Sequence, residues 1–281
     1  MIHQFIFWLQ THRGINILLV LAYFSFIIAM HHPLVLLSIS IENRLTIETY
    51  NLVVAVVFLT LLSLFLFFLS KGFFKYTDNR KLKLVYMLAT LLLLLLHSRF
   101  MFDSNIEVIH SFEFTFLAFL IFPLTKRFGA AILFTLPFML IDEWYQYIFL
   151  YPQWNDYFDL NDILTDTYGC GLTMLFLMIV GVKGNENLHP IWRRAEFIGL
   201  IIGVILVALA NQLGYIVSFA NEVGGNTLLV MNENLNGESF WRAHPTHHIL
   251  YHVMKPVEGL IAISALHFFY FGLDSLRKNP A

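Results

Sequence analysis

Charged residues are missing from this chain for about twenty positions at a time, and the gaps are filled mainly with Leu, Ile, Val, Phe and Ala. A soluble helix of that length carries charge along its wet face, so these stretches imply hydrocarbon as the solvent. The overall balance agrees, with 58% hydrophobic and only 13% charged residues. Stretches of the length that crosses roughly 30 Å of hydrocarbon number about eight. They fall at 14–40, broken by His31, His32 and Pro33, then at 49–70, 84–96, 106–124, 128–151, 162–182, 197–219 and 249–273. The fold class expected is an all-α, polytopic transmembrane bundle forming one membrane domain.

Lysine and arginine give the bundle a direction, because loops on the cytoplasmic side are enriched in them. Arg13 precedes the first span; Lys71, Lys75, Arg80, Lys81 and Lys83 fill the second loop; Lys126 and Arg127 the fourth; Lys183, Arg193 and Arg194 the sixth; and Arg277 and Lys278 follow the last span. The opposite loops hold Arg44, Arg99 and Arg242, and Lys255 falls inside the last span. Both termini are therefore expected in the cytoplasm, with the chain a multi-pass protein of the cell membrane, the cytoplasmic membrane if bacterial. No small-residue cleavage site follows Phe5–Trp8, so the first span is expected to serve as its own insertion signal. The longest outer segment, 220–246, is rich in Asn, Gly and Glu, carries a β-prone run at 227–231, and would cap the outer face as a lid. Cys170 is the single cysteine, which excludes an intrachain disulfide, and the net charge of -2 argues against nucleic acid as partner.

Ionisable groups inside a bilayer are costly unless partnered, so each marks a candidate site. They gather at the outer ends of the later spans. His110 and Glu113 share one helical face; Asp142, Glu143 and Gln146 occupy the outer third of the fifth span; Asp162 and Asp166, four apart, open the sixth. The eighth brings His247, His248, His252, Lys255 and Glu258; helical spacing places His248, His252 and Lys255 on one stripe with Glu258 close by. The inner halves are nearly free of such groups, which implies a polar pocket open outward. Carboxylates beside imidazoles in a poorly solvated space suit acid/base work, proton transfer or a divalent cation. No HExxH or CxxC spacing supports metal independently.

Plainer readings exist for several of these residues. His97 and Arg99 read as interfacial anchors, and His31 and His32 beside Pro33 as a helix end or kink. Asp162 reads equally as an N-cap or first-turn carboxylate opposing the helix dipole. Glu113, Asp142 and Glu143 also fit a structural hydrogen-bond network, His267 a packing histidine, and Asn211 and Gln212 interhelical glue.

The fourth to sixth spans carry IHSFEFTFLAF, IDEWYQ and DLNDILTDTYGCG in that order. This resembles the VanZ-like membrane protein family, over roughly 97–182 within a core of 84–182, with the helices at 14–70 and 197–273 outside it. The resemblance maps His110, Glu113, Asp142, Glu143, Gln146, Asp162, Asp166, Gly169 and Gly171 to the family's polar and glycine positions. Asp166 stands where the family often has Asn, and the outer loop has Gln153 and Trp154 in place of the usual Arg. The resemblance implies a role in the cell envelope and in tolerance of glycopeptide antibiotics, without supplying a reaction.

The leading expectation is a pocket that binds or modifies a lipid-linked or glycan substrate. His110, Glu113, Asp142, Glu143 and Asp166 are its acid/base or cation-binding groups. Gln146, Asp162, His247, His248, His252, Lys255 and Glu258 bind the substrate. A proton-coupled secondary transporter and a non-catalytic structural membrane protein are the alternatives. Membrane lipids are the expected surroundings.

Overall fold

In hydrocarbon every backbone N–H and C=O has to find its partner inside the segment, and the apolar stretches accordingly form helices. The structure is a computed structural model that describes residues 2–75, 79–102, 107, 109–150, 158–185, 193–219, 222–230, 240–243, 250–252 and 254–275. Its helices are α1 (Ile2–Thr11), α2 (Arg13–Glu42), α3 (Ile47–Lys75), α4 (Arg80–Met101), α5 (His110–Thr125), α6 (Phe128–Tyr145), α7 (Leu160–Ile179), α8 (Ala195–Gln212) and α9 (Pro256–Phe271). Six segments are long and apolar enough to cross a membrane, namely 13–41, 48–71, 81–101, 128–150, 160–179 and 257–274. α5 and α8 are apolar but shorter. The chain is thus all-α in class, with several helices long and apolar enough to cross a membrane.

The central helix is α7, buried along nearly its whole length among α5, α6, α4 and α9. α5 lies parallel to it at backbone contact, which the sequence permits only through Gly169. A Cβ at Gly169 would overlap the carbonyl oxygen of Ser111. The Thr173 hydroxyl donates to the Thr115 carbonyl at 3.3 Å and the Cys170 thiol to the Phe114 carbonyl at 3.4 Å along the same seam. α3 and α8 lie outside, presenting Leu52, Val56, Leu59, Ile201, Ile205 and Leu209 outward, as helices facing lipid do.

Three segments depart from the expected layout. α1 is a separate ten-residue helix, too short to register as a span, that buries Ile6 and Leu9 against the bundle. α2 continues through Pro33 to Glu42, so His31 and His32 do not mark a helix end. The last helix starts at Pro256, not near residue 249, because proline is favoured in the first turn, where its missing N–H costs nothing. The residues before it form β4 (Leu250–His252), antiparallel to β3 (Trp241–Ala243), so His252 does not share a helical stripe with Lys255.

Part of the long connection after α8 is folded over the bundle. β1 (Ile216–Val217) pairs in parallel with β2 (Leu229–Val230), within the β-prone run. The Phe158 N–H donates to the Val230 carbonyl at 2.7 Å, and the Val230 N–H to the Tyr147 hydroxyl at 3.4 Å. This ribbon is thereby tied to the ends of α6 and α7 that carry the acidic residues. The Asn211 side chain donates to the Ile216 carbonyl at 2.8 Å, so it braces this turn and does not join two helices.

Candidate functional site

Helix α2 turns one face to the bundle through Asn16, Val20, Ile27 and His31, all buried. Phe24 lies on that face too and packs edge-on against Phe138 of α6, with centroids 4.9 Å apart. The Tyr23 hydroxyl donates to the Glu113 carbonyl at 3.0 Å, fastening α2 to α5. Two turns further along, the His31 ring comes to 5.8 Å, centroid to centroid, from that of His110.

His110, the first residue of α5, stands between two carboxylates. Its Nδ1 is 3.4 Å from Glu113 Oε2, and its Nε2 is 3.4 Å from Asp162 Oδ2 on α7. The parallel packing of α5 on α7 through Gly169 is what brings these residues together. Asp162 lies in the first turn of α7, but the N-cap is Asp159, whose carboxylate accepts the Asn161 N–H at 2.8 Å. Asp162 is therefore spared capping and faces the histidine.

α6 supplies the opposite wall. The Gln146 side-chain amide donates to Asp142 Oδ2 at 3.0 Å, and the Asp159 N–H donates to Glu143 Oε1 at 2.8 Å. Residues Gln146–Leu150 form a π-helical turn, a feature that recurs at functional sites. Asp142, Glu143 and Asp166 are each no more than 3% exposed.

Each wall leaves oxygens over. Glu113 Oε2, Asp142 Oδ1, Glu143 Oε2 and Asp166 Oδ1 are buried without a hydrogen-bond donor among the described residues. Ionised carboxylates only accept hydrogen bonds, and an unmet buried acceptor costs roughly 1–3 kcal/mol, more when charged. Among the described residues no lysine or arginine pairs with any of these acids. The pocket thus has a surplus of buried carboxyl oxygens without donors, which suits a ligand rich in donors or positive charge. One nitrogen of His31 and one oxygen each of Glu113 and Asp142 lie within 4.8 Å of one another.

The structure therefore gathers His110, Glu113, Asp142, Glu143, Gln146, Asp162 and Asp166 at one end of the bundle. His252, Lys255 and Glu258 form a separate group. Glu258 is 2.8 Å from His252 and 3.6 Å from Lys255, and it accepts the Lys255 N–H at 3.1 Å. None of the three bonds to the inner cluster among the described residues. His247 and His248 lie outside the described residues.

Two members escaped the sequence reading. His31 was masked by its proline neighbour, yet its place on the Val20–Ile27 face is the signal that finds it. Asp159 is legible as a helix start, two residues before Asn161. His97, read as an interfacial anchor, is buried edge-on against Phe102 and Tyr168, with centroids 5.6 Å away in both cases. His267 is a packing histidine with Nδ1 at 2.8 Å from the Ile263 carbonyl. No family model, curated protein or solved structure matches the chain.

Proposed function

We propose that this chain is a membrane protein of the cell envelope that binds, and acts by acid/base chemistry on, the head group of a lipid-linked or glycan substrate. The observation that carries this reading is the surplus of buried carboxylate oxygens beside His110. Sugar hydroxyls and amines present the donors that such oxygens lack, and the acyl portion of a lipid-linked substrate stays in the bilayer. His110, held between Glu113 and Asp162, is placed to pass a proton between a bound hydroxyl and a carboxylate. The β1–β2 ribbon, anchored on Tyr147 and Phe158, shields the pocket from bulk water.

In this reading the pocket faces outward, both termini are cytoplasmic, and α5 and α8 complete a set of eight spans. Lys83, Arg127 and Arg194 support that orientation, since they lie at the other end of the helices that carry the acids. The likeness of residues 97–182 to the VanZ-like family belongs to the same reading, as does a role in tolerance of glycopeptide antibiotics. The test is purification of the full chain from its native membrane, followed by mass spectrometry of retained lipids. A glycosylated lipid retained by the wild type and depleted at least tenfold in Asp166→Asn and Glu143→Gln supports the assignment. Equal retention in folded variants, or no glycosylated lipid at all, overturns it.

A further inference from the structure

The donor surplus required by the pocket has a second source besides a substrate. We propose that His31, Glu113 and Asp142 form a three-ligand site for a divalent first-row cation of the Zn2+ or Mn2+ class. They come from three helices, α2, α5 and α6, and offer one nitrogen and two oxygens within 4.8 Å of one another. Ligand bonds of about 2.0–2.2 Å place such atoms roughly 3–4 Å apart, so modest side-chain rotation closes the set. An imidazole with two carboxylates is a borderline-hard donor set, which suits Zn2+ or Mn2+ better than a thiolate-seeking ion.

A gathering of acids alone would not make this a metal site. The independent observation is how the ligands are held. Asp142 is 2% exposed, its Oδ2 is fixed by the Gln146 amide at 3.0 Å, and its Oδ1 is left without a donor. Glu113 Oε2 likewise lacks a hydrogen bond, and His110 Nδ1 faces that same oxygen at 3.4 Å. Asp162 in turn orients His110 from the far ring nitrogen at 3.4 Å. Ligands aimed by a surrounding ring of hydrogen-bonding groups are the arrangement of metal centres. An ion here would also offset two of the clustered negative charges, which no lysine or arginine pairs with among the described residues. With three protein ligands, further positions remain for water or a substrate oxygen, as in catalytic sites.

The site shares its pocket with the function proposed above but does not depend on which substrate enters. Full-length protein in detergent is stripped with a chelator and titrated with MnCl2 and ZnCl2. Bound metal is counted by plasma mass spectrometry, and Mn2+ is followed by electron paramagnetic resonance. The expected result is about one ion per chain, bound at least tenfold more weakly by Glu113→Gln, Asp142→Asn and His31→Phe, and equally well by Glu258→Gln. A wild type that takes up neither ion, or folded variants that bind as the wild type does, overturns the site. If the variants do not fold, the wild type decides. A rise in its unfolding temperature with either metal supports the site, and no rise overturns it. Retained glycolipid without metal would leave the pocket reading standing and remove this one; metal without glycolipid would do the reverse.

Discussion

The two ends of the bundle solve the problem of a buried carboxylate in opposite ways. At one end Asp274 accepts the Phe128 N–H at 2.7 Å and the Gly129 N–H at 3.4 Å, and stands 3.6 Å from Arg194. It caps α6 through Oδ1 and faces a cation, so the charge at that end is balanced, while Oδ2 itself accepts no hydrogen bond among the described residues. Lys83, which donates to the Met178 carbonyl at 3.3 Å near the C-terminus of α7, completes the same economy. At the other end, Glu113, Asp142, Glu143, Asp162 and Asp166 gather, with His110 beside Glu113 and Asp162 and His31 beside Glu113 and Asp142. A fold that gives Asp274 an arginine has left the carboxylates of the second end without a lysine or arginine among the described residues, where a ligand would complete them. The difference separates a carboxylate that holds the fold from carboxylates that the fold holds.

The contrast breaks first at Asp274. Asp274→Ala leaves the Arg194 guanidinium buried without its carboxylate and α6 without a cap, and costs about 3–5 kcal/mol. Thermal unfolding in detergent checks this, and a change below about 1 kcal/mol would erase the distinction. Next comes the seam between the two kinds of site. Gly169→Ala pushes α7 away from Ser111 and costs about 1–3 kcal/mol. Because it also separates Asp162 from His110, it lowers retention of glycolipid and metal together, and a stability loss with ligand retention intact would show that the spacing does not matter.

A smaller effect of opposite sign is expected inside the acidic pocket. Asp166→Asn replaces a buried carboxyl that has an unpartnered oxygen by an amide that can also donate, and in ligand-free protein it raises stability by about 1 kcal/mol. Destabilisation by that variant, measured in the same melts, would place Asp166 with Asp274 among the structural carboxylates. The smallest effect belongs to Glu258, half-exposed beside His252 and Lys255, where Glu258→Gln shifts stability by less than about 1 kcal/mol. A larger loss would make the β3–β4 hairpin part of the site's frame.

What could be read in the sequence followed from the solvent. Long apolar runs announced α2, α3, α4, α6 and α7, since hydrocarbon imposes helix on any such run. The gathering of His110, Glu113, Asp142, Glu143, Asp162 and Asp166 was legible for the same reason, because charge at those depths has no local excuse. Failures came where a local rule met a tertiary one. Pro33 argued for a break in α2, yet the packed face from Val20 to His31 carries the helix past it. The spacing of His252, Lys255 and Glu258 suggested a helical stripe, but Pro256 sets the helix start and the hairpin pairing takes the residues before it. Asp159 carried a helix-start signal two residues before Asn161, but apolar periodicity did not separate it from Asp162, and the structure shows Asp159 as the cap, with its N–H given to Glu143 of another helix.

The length of α2 gives the pocket an unequal build. α5, α6 and α7 are locked together by backbone-close packing, whereas α2 shows much of its surface outward and meets them along one face. Its 30 residues extend about 45 Å, against roughly 30 Å of hydrocarbon, so in a bilayer it must tilt or project beyond the apolar layer. The depth of His31 therefore answers to the lipid as well as to the packed face of α2, and bilayer thickness becomes a mechanical input to the wall of the pocket that α2 supplies.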